Sequence, residues 1–133
     1  MAASAPSSIH VLDASALLCL LFNEPGASKV EACLAHGLIS AVNYHEVLAS
    51  LIDRGITTEE AQCMLEKLDI EVVPFDRAQA HIGAALRPLT HGAGLSLGDR
   101  SCLALAWTNK AIALTADPVW AALDLGIRIE VVN

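Results

Sequence analysis

The chain has 133 residues, 54% of them hydrophobic, and its eight Lys and Arg against fifteen Asp and Glu give a formal charge of −7. That length and apolar content suit one domain with its own core, and an acidic balance whose basic residues never cluster excludes a broad phosphate-tracking surface. The apolar run from Ala16 to Phe22 is far shorter than the roughly 20 residues of a membrane span, and Cys19, Cys33, Cys63 and Cys102 lack C-x-x-C spacing, so a cytoplasmic protein with reduced thiols and no membrane contact is expected.

In chain order, residues 1–8 (MAASAPSS) have the small, polar composition of a disordered extension, and residues 9–133 read as a single domain. The segment IHVLD predicts a strand ending at Asp13. ASALLCLLF predicts a short buried helix stopped by Asn23, Pro25 and Gly26, and a second helix is expected over 27–35. LISAV (38–42) is strand-like. In NYHEVLASLIDRG the apolar residues Tyr44, Val47, Leu48, Leu51 and Ile52 share one helical face, and Gly55 ends the helix. TTEEAQCMLEKLD repeats that pattern, with Thr57 and Glu60 as a capping box. IEVV is a strand halted at Pro74. Asp76 starts a helix that runs down near Pro88, the loop THGAG follows, and a helix is expected from about Gly98 to Asn109. AIAL is a strand, DPVWAAL a short helix with Pro118 first, and IRIEVV the last strand. Five strands alternating with helices predict a mainly parallel sheet covered on both faces.

GLSLG (Gly94 to Gly98) satisfies the G-x-S-x-G pattern of a serine nucleophile elbow. Its context fails: no strand immediately precedes Ser96, and all five histidines lie upstream where the triad order requires one downstream. Ser96 instead reads as the cap of the helix containing Asp99, in an S-x-x-D box. HEVLA is equally unfit as a zinc site, because Ala49 stands where the second histidine belongs.

The acids are placed more tellingly. Asp13 closes the first strand, Glu46 falls in the first turn after the second, Asp99 in the first turn after the glycine loop, and Asp117 just after AIALT. In a parallel sheet these positions converge on the carboxyl edge, where such folds bind ligands. Each acid has a local explanation: Asp13 and Asp117 as helix caps, Asn43 and Glu46 as a capping box, which is the favoured reading of Asn43, and Asp99 as an offset to a helix dipole. Gathered within about 5 Å, however, they would repel by about 3 kcal/mol per pair at an effective dielectric near 20. A divalent cation relieves this, and all-oxygen donors select Mg²⁺ or Mn²⁺, which suit phosphodiester hydrolysis. Ser15, two residues beyond Asp13, could orient a carboxylate or a metal-bound water.

VLDASALLCLLFNEPGA, NYHEVLASL, LSLGDRSCLALA and ALTADPVW together resemble a PIN-domain ribonuclease of the VapC toxin type, over Ile9 to Val132. The resemblance implies a three-layer α/β/α fold with strand order 3-2-1-4-5, which brings Asp13 beside Asp117. It implies Asp13, Glu46, Asp99 and Asp117 as the acidic metal-binding and catalytic set, with Asp13 and Asp99 foremost, Ser15 and Thr115 supporting, and Asp76 left as a helix cap. It further implies Mg²⁺ as cofactor, RNA as substrate, a homodimer, and a cognate antitoxin whose basic tail fills the acidic groove. Two other readings remain at this stage: a non-catalytic module whose acidic groove binds a basic peptide, and an aspartate-based phosphatase, which DAS disfavours by lacking a second nearby aspartate.

Overall fold

A computed structural model describes residues 8–132. The expected disordered extension therefore lies, apart from the exposed Ser8, outside the described residues. Strand β1 (His10–Leu12) leads into α1 (Ala14–Leu21) and α2 (Ala27–Ala32). Then come β2 (Gly37–Ser40), α3 (Ala41–Asp53), α4 (Thr58–Glu66) and β3 (Ile70–Val73). Helices α5 (Arg77–Ala85) and α6 (Arg87–Thr90), a 3-10 turn at His91–Ala93 and α7 (Leu97–Asn109) precede β4 (Ile112–Thr115). A 3-10 helix at Pro118–Ala122 and β5 (Ile129–Val131) close the fold.

All strand pairs are parallel and the order is β3-β2-β1-β4-β5. Alternation along the strands sends neighbours to opposite faces. Leu12, Ile39 and Leu114 join the core beneath α1 to α4, while Val11 and Ala113 pack with Cys102, Leu103, Leu105 and Trp120 on the other. The result is a three-layer α/β/α sandwich, as expected. Because the chain reverses from β1 toward β2 on one side and β4 on the other, a crevice opens at the carboxyl ends of β1 and β4.

Several boundaries differ from the sequence reading. Strand β2 stops at Ser40, because the Ser40 hydroxyl accepts from Val42 N (3.2 Å) and caps α3 two residues earlier than expected. Glu46 consequently lies in the second turn of α3 rather than the first. Helix α2 ends at Ala32, where a turn closed by Gly37 N to Leu34 O (2.8 Å) intervenes. Most of THGAG is helical turn rather than open loop, since Pro88 sits within the first turn of α6, where its missing N–H costs nothing. The Thr57–Glu60 capping box forms as expected. So does the Ser96–Asp99 box: the Ser96 hydroxyl accepts from Asp99 N (3.1 Å), and Asp99 Oδ2 accepts from Ser96 N (2.9 Å).

Candidate active site

Asp13 follows β1 in an extended conformation, and its carboxylate caps α1 by accepting from Ala16 N at 2.8 Å. The Ser15 hydroxyl donates to it (2.8 Å to Oδ1, 2.9 Å to Oδ2), as does the Thr115 hydroxyl from the end of β4 (2.7 Å to Oδ2). Backbone groups fix both hydroxyls: Ala116 N donates to Ser15 Oγ and Asp117 N to Thr115 Oγ1, each at 3.0 Å. A carboxylate so placed is only 3% exposed. Burial raises its pKa from 3.8 to about 6, overriding the hydrogen bonds from Thr115, Ala16 and Ser15 that favour the ionised form, and the charge of Asp99 adds to the rise.

Glu46 is held from a different direction. Asn43 Nδ2 donates to Glu46 Oε1 (2.7 Å) and to Gly98 O (3.0 Å), which ties α3 to the first turn of α7. The Asn43–Glu46 capping box expected from the sequence does not form, because Ser40 takes the cap and leaves Asn43 inside the first turn of α3 with its side chain directed across to α7. Asn43 is 1% exposed, and its Oδ1 has no partner among the described residues. A Cβ on Gly98 would overlap the Glu46 carboxylate, so glycine there is what lets the acid lie against α7.

Asp99 is half-buried, with one oxygen engaged by Ser96 N. Asp117, also half-buried, accepts from Val119 N (3.0 Å) and caps the 3-10 helix that begins at Pro118. Its backbone reaches Asp13 through Thr115, whereas its carboxylate serves the cap. Asp76 caps α5 by accepting from Gln79 N (2.9 Å), beyond the edge strand β3 and away from the β1–β4 crevice.

Asp13, Asp99 and Glu46 act electrostatically on one group. The Cys102 thiol, fully buried one turn along α7 from Asp99, is pushed well above its ordinary pKa by burial and then by Asp13, Asp99 and Glu46 in that order. The charges of three carboxylates from three elements thus bear on one buried sulfur, and Glu46 lies against Gly98, the residue before Asp99. Among the described residues no three Asp, Glu, His or Cys side chains form a ready-made cation cage. The donors are nevertheless hard oxygens, and Asp13 is a desolvated carboxylate within electrostatic reach of Asp99, which suits a hard divalent ion rather than a soft one. Sequence reading missed Asn43 as the residue that positions Glu46, and it missed what Gly98 and Cys102 face. Only the spacing of Asn43 and Glu46, three residues apart on a helix, carried a signal.

Residues 10–125 match the family model for the PIN domain. No curated protein matches the sequence. Among solved structures, a toxin–antitoxin complex from Klebsiella pneumoniae is similar at TM-score 0.73 and 20% identity, over 93% of this chain and 98% of that one. The DNA-bound VapBC of Salmonella typhimurium aligns at TM-score 0.74 and 16% identity, over 95% and 99% of the two chains. A sarcin–ricin loop cleaving VapC toxin of Mycobacterium tuberculosis aligns at 0.67 and 13%, over 90% and 98%. At these identities the likeness is one of fold.

Proposed function

The chain belongs to the PIN-domain family, and we propose that it is a metal-dependent endoribonuclease acting as the toxin of a toxin–antitoxin pair. The observation that carries this reading is the buried Asp13 carboxylate, held at the switch point of the sheet by Ser15 and Thr115 within electrostatic reach of Asp99, with Glu46 seated against Gly98 in the same first turn of α7. The solved toxin–antitoxin relatives of the same fold support the biological setting.

In this reading Asp13 and Asp99 hold Mg²⁺, or Mn²⁺ in its place, with Asp117 and Glu46 completing the acidic rim. Such an ion supplies positive charge to the phosphodiester and acidity to attacking water. Ser15 and Thr115 keep Asp13 oriented and favour its ionised form against desolvation. Glu46 is exposed and held by Asn43, so it can accept a proton from water. The cognate antitoxin would present an arginine or lysine to the same acids, since paired carboxylates match a guanidinium fork. A homodimer in the cytoplasm is the assembly we propose.

The test is digestion of total cellular RNA by the purified protein with Mg²⁺, with Mn²⁺ and with chelator, followed by sequencing of new ends. Discrete new ends that require a divalent ion are expected. No cleavage, together with tight capture of a basic peptide, would instead make the acidic crevice a binding module.

A further inference from the structure

On the flank of α7 turned toward α5 lies a cavity of about 270 Å³. Its walls include Phe75, Gly83, Arg87, Leu97, Arg100 and Ser101. Arg100 is the unusual member: it is 8% exposed, and among the described residues the one hydrogen bond of its side chain runs from Nη1 to Leu95 O (2.9 Å). Neither Arg100 nor Arg87 pairs with a carboxylate among the described residues. The remaining guanidinium nitrogens of Arg100 have no protein partner among the described residues and keep contact with solvent at the cavity, so an anion there would meet free donors without displacing a protein hydrogen bond. Small residues on α5 keep the space open, since Ala80, Gly83 and Ala84 line it where larger side chains would fill it.

Its position matters as much as its charge. Leu97, Arg100 and Ser101 belong to the same opening turns of α7 as Asp99, and Leu97 is 67% exposed at the helix end. A helix with its side chains is about 10 Å across, so a strand passing over the start of α7 reaches both the acids and this cavity. An acidic protein that cleaves RNA needs cations close to its acids to hold the strand, and its sequence provides no basic run elsewhere.

We propose that the cavity between α5 and α7 binds a backbone phosphate of the RNA substrate next to the acidic crevice. Arg100 and Arg87 hold the phosphate, and Phe75 and Leu97 form an apolar wall for the adjoining sugar or base. This assignment rests on the nuclease reading for its biological sense, but its test does not depend on cleavage.

The experiment measures binding of a fluorescent single-stranded RNA by anisotropy, in chelator and across a salt series, for the full chain and for Arg87→Ala, Arg100→Gln and Ala84→Trp. Each arginine variant should weaken binding about tenfold and lower the salt slope by about one. Ala84→Trp should weaken binding by filling the cavity with both arginines intact. Lys110→Ala, at the far end of α7, should change neither quantity. Inorganic phosphate should compete with RNA on the wild type and lose that effect in Arg100→Gln, which separates a phosphate site from a base site. Circular dichroism checks folding, and Arg87 is exposed and free of side-chain bonds among the described residues, so its variant carries the test if Arg100→Gln unfolds. Wild-type cleavage with RNA binding unchanged in folded Arg87→Ala and Ala84→Trp overturns the cavity and leaves the nuclease standing. Loss of binding in these variants of a protein that cleaves nothing does the reverse. Variants that keep RNA but lose the antitoxin would also overturn it, by assigning the cavity to an acidic peptide.

Discussion

The Glu46 carboxylate lies against the bare Cα of Gly98, in the space a side chain would take. Asn43 holds it there by donating to Glu46 Oε1 and to Gly98 O. Gly98→Ala should therefore move the acid while leaving the fold intact, because alanine favours a helix over glycine by about 0.5–1 kcal/mol and the displaced group is the free end of a flexible side chain. The expected outcome is an unchanged or slightly higher Tm with cleavage reduced about tenfold. Wild-type cleavage by this variant would show that the placement of Glu46 is immaterial.

Asp13→Asn and Asp99→Asn should each abolish cleavage. Neither should lower the stability of the metal-free protein, since each removes one of several crowded negative charges. Single-turnover rates and thermal melts on the same preparations check both halves. An Asn variant that cleaves normally removes that acid from the site.

Asp13 also fixes a pH dependence. Its folded pKa of about 6 lies above the ordinary 3.8. Its contribution to stability is therefore complete below pH 3.8 and is lost as pH rises through about 6. Relative to Asp13→Asn, which cancels the other titrations, the metal-free wild type should lose about 2 kcal/mol between about pH 4 and 7. Divalent ion should restore part of that loss at neutral pH by binding the folded state. Denaturant melts of both proteins across this range, with and without Mg²⁺, make the comparison. A flat difference would mean that burial does not raise Asp13.

Ser96→Ala should retain most activity while costing about 1 kcal/mol of stability through loss of the cap on α7. Folded but inactive protein would return Ser96 to the chemistry, against the strand-free context that precedes it.

Cys102 and Cys63 should differ sharply toward an alkylating reagent. Cys63 is exposed, whereas Cys102 is buried, and that burial together with the charges of Asp13, Asp99 and Glu46 disfavours its thiolate. Mass spectrometry of the native protein should find Cys63 modified and Cys102 untouched until the chain unfolds. Early modification of Cys102 would mean that the space above it opens readily.

What the sequence determined by itself was whatever depends on neighbours along the chain. The strand–helix alternation, the caps at Thr57 and Ser96 and the placing of Asp13 and Asp117 just past strand ends follow from periodicity and local hydrogen bonding, which act over a few residues. Tertiary structure decided the rest. Ser40 rather than Asn43 caps α3, because the β2–β3 ladder ends at Ser40 opposite Val73, which frees Asn43 to bridge to Gly98, 55 residues away. Thr115 reaches Asp13 across 102 residues because β1 and β4 lie side by side. The raised pKa of Asp13, the seat of Glu46 and the burial of Arg100 likewise arise only after helices from distant parts of the chain close over the sheet. Desolvation and side-chain packing are properties of that closure, and no local pattern of residues encodes them.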